Sequence, residues 1–195
     1  METTSPQILS KTTLAAGKFL ELRSIAWQDN QGRRRDWDCA SRTGGHGHAA
    51  MVIARLMPER NLVLVRQYRP PAGKYCIEFP AGLVEPGEDF TCAALRELAE
   101  ETGYTGKVAD TIPFGFSSAG LTDEDIAGVV VEIDSAHYRR HPPQPHPEAS
   151  EDIEVITVPE AKLRDFLQER LANGDGADAK LLVYAYTATR LNPKT

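Results

Sequence analysis

Arg96, Glu97, Glu100 and Glu101 fall within six residues of one another, and Glu88 lies a short distance upstream. They belong to the stretch GLVEPGEDFTCAALRELAEETGY, residues 82–104. From Asp89 the composition turns to Ala, Leu and Glu, and Gly103 is a natural stop, so the spacing predicts a helix. Positions three and four apart share a helix face. Glu97, Glu100 and Glu101 therefore gather three carboxylates, which repel by a few tenths of a kcal/mol per pair in water. A hard divalent cation, Mg2+ or Mn2+, offsets that repulsion because it takes oxygen ligands. An isolated E-x-x-E-E string reads as a solvated helix face. Here Gly82 and Gly87 bracket a tight loop into the helix, which favours a built site.

The rest of the chain must position that helix. Its 195 residues suffice for one full domain and a small appendage. Hydrophobic content of 41% and charged content of 26% are those of a soluble globular protein. The net charge of -6 argues against nucleic acid or an anionic membrane as partner. Positive charge for an anionic substrate must then be recruited locally. Cys39, Cys76 and Cys92 form an odd set without metal-like spacing, which fits a reducing cytoplasm. METTSPQILSKTT lacks the apolar core of a signal peptide, and no run approaches a membrane span.

Residues 1–12 are polar and read as frayed. Phe19 to Trp27 reads as a strand, DNQG (29–32) as a turn, and Arg35 to Arg42 as the return strand. Such a hairpin is too small to be stable alone, so it must pack on the main domain or on a second subunit. Arg33, Arg34 and Arg35 read as a solvated turn, and TGGHGH (43–48) as a link whose His46 and His48 lack further ligands nearby. MVIARLM and NLVLVRQY are strands; KYCIEFPAG is a shorter one; residues 108–116 and IAGVVVEI follow as strands after the helix. The proline-rich run YRRHPPQPHPEASED is an exposed loop, IEVITVP a strand, and residues 159–174 and 177–191 two helices. Strands on both sides of a central helix, then two helices, indicate a mixed sheet between helices.

Residues 82–104 obey G-x5-E-x7-R-E-U-x-E-E-x-G-U, where U is bulky and apolar; Leu98 fills the first U and Tyr104 the second. This resembles the Nudix box, the signature of hydrolases that cleave nucleoside diphosphates linked to another moiety. The likeness extends to RQYRPPAGKYCIEFPAGLVEPGE, AALRELAEETGYTG, GKF (17–19), GRRRDW (32–37), the proline-rich loop and EDIEVITVP (151–159). Across nearly the whole chain it is similar to the ADP-sugar pyrophosphatase branch.

The resemblance implies an α/β/α sandwich with a mixed β-sheet plus a small N-terminal antiparallel β element. Residues 1–45 would be that element, shared across a homodimer, and residues 46–195 the Nudix hydrolase domain. It implies metal ligation by the main-chain carbonyl of Ala81 and by Glu97, Glu100 and Glu101. Arg96 would orient the carboxylates with Glu88 in the same network; a mere loop-to-helix clamp is the plainer reading of that pair. Phe19 and Trp37 match two aromatics that stack adenine, although Trp37 also reads as a hairpin core residue. Arg42 and Arg69 match contacts to phosphates or ribose, Glu78 the edge of the site, and Gly120 and Leu121 the terminal-ribose pocket. Glu151 matches a general base on the loop after the prolines, against the reading of an ordinary acidic loop residue. Ala119 stands where ADP-ribose hydrolases carry proline, which leaves the distal sugar open. The implied reaction is divalent-metal-dependent hydrolysis of ADP-ribose, or a related ADP-sugar, to AMP and a sugar phosphate. The alternatives are another dinucleotide or NDP-sugar (GDP-mannose, a flavin or nicotinamide dinucleotide, a dinucleoside polyphosphate), or ADP-ribose binding without catalysis.

Overall fold

A computed structural model describes residues 5–44, 47–147 and 152–191. The N-terminal part is a three-stranded antiparallel sheet of β1 (Gln7–Ala16), β2 (Leu20–Gln28) and β3 (Arg34–Arg42). The expected hairpin is thus β2–β3, and residues 7–12 of the segment expected to fray are instead paired: β1 runs along β2 from Gln7↔Gln28 to Ala16↔Glu21. All ten β1 residues are exposed, so no buried face marks the strand in the sequence. At the β2–β3 turn, Asp29 accepts from the backbone N–H groups of Gln31 and Arg33 at 2.9 and 3.0 Å. Burial pushes this carboxyl up, but those donors and the Arg33 side chain hold it well below the usual carboxylate range.

Eight further strands form one mixed sheet. β4 (His48–Met57) and β5 (Asn61–Arg69) make a hairpin, followed by β6 (Lys74–Glu78) and the three-residue β7 (Ala81–Leu83), which pairs with the start of β4. Then come α1 (Phe90–Thr102), β8 (Lys107–Phe116), and β9 (Asp125–Asp134), which lies parallel to β4 over ten residue pairs. α2 (Ser135–Arg140) precedes the proline-rich segment. β10 (Ile153–Pro159) pairs with β5, and α3 (Leu163–Ala172), β11 (Gly176–Ala177) and α4 (Ala179–Leu191) complete the chain.

Successive strand side chains point to opposite faces, and β4 shows both layers. Ala50, Val52 and Ala54 face a core shared with Ala93, Ala94 and Leu98 of α1. Ile53 belongs to a second core with Leu163 and Leu167 of α3 and Leu181 and Ala185 of α4. The sheet is therefore buried between α1 on one face and α3–α4 on the other, which is the α/β/α sandwich. α2 lies partly in a stretch expected to be loop. It is capped by Asp134, which accepts from the Ala136 N–H, and tied back by Ser135 and Arg139 to Glu59.

Candidate active site

α1 is placed by its two ends. At the start, Asp89 caps it by accepting from the Thr91 N–H at 2.8 Å. At the end, Gly103 turns the chain at φ 71°, a left-handed conformation suited to glycine. A side chain at Gly103 would also overlap the backbone of Gln144. Two residues on, the His146 N–H donates to the Glu100 carbonyl at 2.7 Å. The proline-rich segment thus satisfies one of the carbonyls that a helix C-terminus leaves open.

Arg96 sits among the carboxylates. Its Nε and Nη2 fork onto Glu88 at 3.1 Å each, and Nη1 donates to Glu97 at 2.7 Å and Glu100 at 3.1 Å. Nη2 also donates to the Leu83 carbonyl at 3.0 Å, fixing the helix to β7. These anions, Glu88 first, raise the guanidinium's affinity for its proton, and Arg96 in turn holds the Glu88 carboxyl below its ordinary range. Glu101 is only 3% exposed and accepts from the Ala81 N–H at 3.2 Å. Gly82 lies so close to Glu97 that a methyl group there would overlap its carboxyl.

Arg96, Glu97, Glu100, Ala81 and Gly82, with Glu88 and Glu101 behind them, line a cleft of about 660 Å³; Phe19, Arg42 and Arg69 are among its other walls. Glu78, beside it, takes both prongs of Arg69 at 2.9 and 2.7 Å and raises the arginine's pKa, with Glu101 adding to the same effect. Trp37, Gly120 and Leu121 gather elsewhere. The Trp37 indole N–H donates to the Gly120 carbonyl at 3.1 Å and the Ala40 N–H to that of Leu121 at 2.9 Å, but none of the three lines the cleft. Within one chain, Phe19 and Trp37 therefore do not form a two-sided stack. Glu151 and His46 lie outside the described residues; His48 is engaged by Asp125 at 2.6 Å. Among the charged cleft residues, Lys18, Glu85 and Glu124 were not expected from the sequence. Lys18 had a signal in its position next to Phe19; Glu124 had none beyond its charge.

The Ala81 carbonyl, Glu97, Glu100 and Glu101 are all hard oxygen donors, the type that suits Mg2+ or Mn2+. Among the described residues no three His, Cys, Asp or Glu side chains converge tightly enough to enclose an ion. Arg96 instead provides one positive charge among three carboxylates. The donor chemistry, the surplus of negative charge and the Gly82 cradle against Glu97 fit a divalent cation.

A family profile for the NUDIX domain matches residues 45–176. The chain belongs to the Nudix family. Over 96% of its length it is 34% identical to an ADP-sugar pyrophosphatase of Mus musculus, of which it covers 89%. It is 36% identical to an ADP-ribose pyrophosphatase of Saccharomyces cerevisiae over 84% of this chain and 74% of that one. A crystal structure of an ADP compounds hydrolase superimposes with a TM-score of 0.71 over the whole of both chains at 20% identity, which shows the shared Nudix fold.

Proposed function

We propose that this Nudix protein hydrolyses the pyrophosphate bond of ADP-ribose, or of a related ADP-sugar, to AMP and a sugar phosphate, with a divalent metal. The observation that carries the reading is the set of carboxylates around Arg96, supplied by α1 and the loop before it, beside a cleft that also holds Phe19, Arg42 and Arg69. Relatives named for ADP-sugar and ADP-ribose support the substrate class.

Glu97, Glu100, Glu101 and the Ala81 carbonyl would hold the metal, Mg2+ or Mn2+. Bound there, a divalent ion lowers the pKa of water and neutralises phosphate oxygens. The chain's own residues do the rest. Arg96, fixed by its fork onto Glu88, holds Glu97 and Glu100 in one orientation through Nη1. Glu78 aims Arg69 so that its remaining edge meets anionic oxygens. Phe19, 67% exposed on the cleft wall, offers a face to the adenine. Glu151 is proposed, on the family match alone, to accept the proton of the attacking water. Water adds to one phosphorus as its bond to the bridging oxygen breaks, and that oxygen leaves on the other product phosphate.

Residues 1–45 are proposed as a dimer-forming element and residues 46–195 as the hydrolase domain. Exposed Ile8, Leu9, Leu14, Leu20 and Leu22 on the N-terminal sheet support a homodimer, because one chain leaves them uncovered. Trp37, Gly120 and Leu121 would then reach substrate from the surface where the two copies meet. Cytoplasmic residence is proposed from the three free cysteines; among the described residues no helix is long and apolar enough to cross a membrane.

A panel of nucleoside diphosphate derivatives with Mg2+ and Mn2+ tests the reading. Turnover of ADP-ribose with release of AMP is expected. Turnover of only a different dinucleotide would reassign the substrate, and ADP-ribose binding without turnover would make the protein a sensor.

A further inference from the structure

Each arginine lining the cleft is already paired to a carboxylate: Arg96 to Glu88, Glu97 and Glu100, Arg69 to Glu78, and Arg42 to Glu124. Lys18 makes no ion pair among the described residues; its ammonium lies 4.8 Å from the centre of the Phe19 ring. The Arg42–Glu124 pair joins two segments distant in the chain. Arg42 Nε and Nη2 both reach the same Glu124 oxygen, at 3.0 and 2.9 Å.

Glu124 is itself held in place. Its backbone N–H donates to the Thr122 hydroxyl at 3.1 Å, and its carbonyl accepts from the Ser117 N–H at 3.0 Å. The Ser117 hydroxyl reaches its second carboxylate oxygen at 3.3 Å. On either side, Asp123 accepts from Ser41 at 2.9 Å and Asp125 contacts His48 at 2.6 Å. The Thr43 N–H, next to Arg42, donates to the Phe19 carbonyl at 3.0 Å, so the pair sits beside the proposed base platform. A purine on Phe19 would bring its ribose to this wall.

In nucleotide sites a carboxylate accepts from a ribose 2′-hydroxyl, whereas an uncommitted arginine accommodates a 2′-phosphate. We propose that Glu124 is a specificity residue: it occupies Arg42 and presents a carboxylate to the nucleoside ribose, so the site takes an unesterified ribose and rejects one bearing a 2′-phosphate. This inference rests on the ADP-sugar reading of the cleft.

Calorimetric titration with AMP and with adenosine 2′,5′-bisphosphate tests it without requiring turnover. The wild type is expected to bind AMP more tightly than the bisphosphate. Glu124→Gln should move the affinity ratio toward the bisphosphate by roughly tenfold or more, because a like charge is removed and a guanidinium released. Adding Arg42→Gln should cancel that gain. Hydrolysis of ADP-ribose and its 2′-phosphate should follow the same ratio, through KM more than kcat. A ratio unchanged in Glu124→Gln, a gain that survives loss of Arg42, or a wild type that binds both ligands equally or neither would overturn the inference. If Glu124→Gln does not fold, Glu124→Ser carries the same expectation. Selective AMP binding without ADP-ribose turnover would instead sink the hydrolase reading and leave this one standing.

Discussion

Two arginine–carboxylate networks in this molecule use the same side chains to different ends. In the cleft, one guanidinium, Arg96, is shared by Glu88, Glu97 and Glu100. On the other face of the sheet, Asp175 receives Arg66 through bonds of 2.9 to 3.2 Å and Arg170 at 2.6 Å, and Arg66 also reaches Glu154 at 3.2 Å. The second network is balanced, two cations to two anions, and Arg66 further stacks over Tyr75 at 3.9 Å. It ties β5 to α3 and to the turn before β11, and its charges balance even though the buried Arg170 Nε finds no hydrogen-bond partner among the described residues. The first sets three carboxylates against one guanidinium at the edge of an open cleft, where a bound cation has a use that a buried structural pair does not. Surplus charge beside a cavity, rather than the number of ion pairs, separates the candidate catalytic cluster from the structural one.

The most severe break is Glu97→Gln. Loss even of partners behind a metal ligand costs roughly 10–100-fold, so turnover of ADP-ribose should fall by at least about a hundredfold. The midpoint of thermal unfolding should stay close to wild type; near-normal turnover would remove Glu97 from the site. Arg96→Lys comes next. Lysine cannot fork across Glu88 while reaching Glu97, so kcat/KM should fall by about 10–100-fold with a higher metal requirement. An unchanged metal titration would reduce Arg96 to a clamp between loop and helix. Asp175→Asn should do the reverse. It should cost about 1–3 kcal/mol of stability, read as a drop in unfolding temperature, and leave kcat unaltered.

Acid sharpens that last contrast. Arg66, then Arg170, holds the Asp175 carboxyl below its ordinary value of 3.8. Its native pKa is thus below the unfolded one. The stabilisation is complete above the unfolded value and is lost as pH falls through the native one. Wild-type unfolding temperature should decline on acidification below about pH 4, and Asp175→Asn should show a flatter profile over that window. Parallel profiles for the two proteins would deny Asp175 this share.

Legibility followed the range of the interactions. α1 could be read whole, because its cap, its helical spacing and its glycine stop are all local, and Asp89 and Gly103 occupy those positions. β1 could not: Gln7–Ala16 is exposed on both faces, so only its pairing with β2 makes it a strand. α2 was hidden by its six-residue length and by the prolines that follow it.

The amino-acid order by itself determined which side chains share the face of α1 and that oxygen chemistry belongs there, since a helix turns spacing directly into proximity. Tertiary structure alone decided that Arg42 meets Glu124, that His146 caps Glu100, that Gly103 must admit Gln144, and that Trp37 turns to Gly120 rather than to the cleft. Those pairings join segments far apart in the chain. They depend on strand register and loop path, which no local pattern of residues encodes.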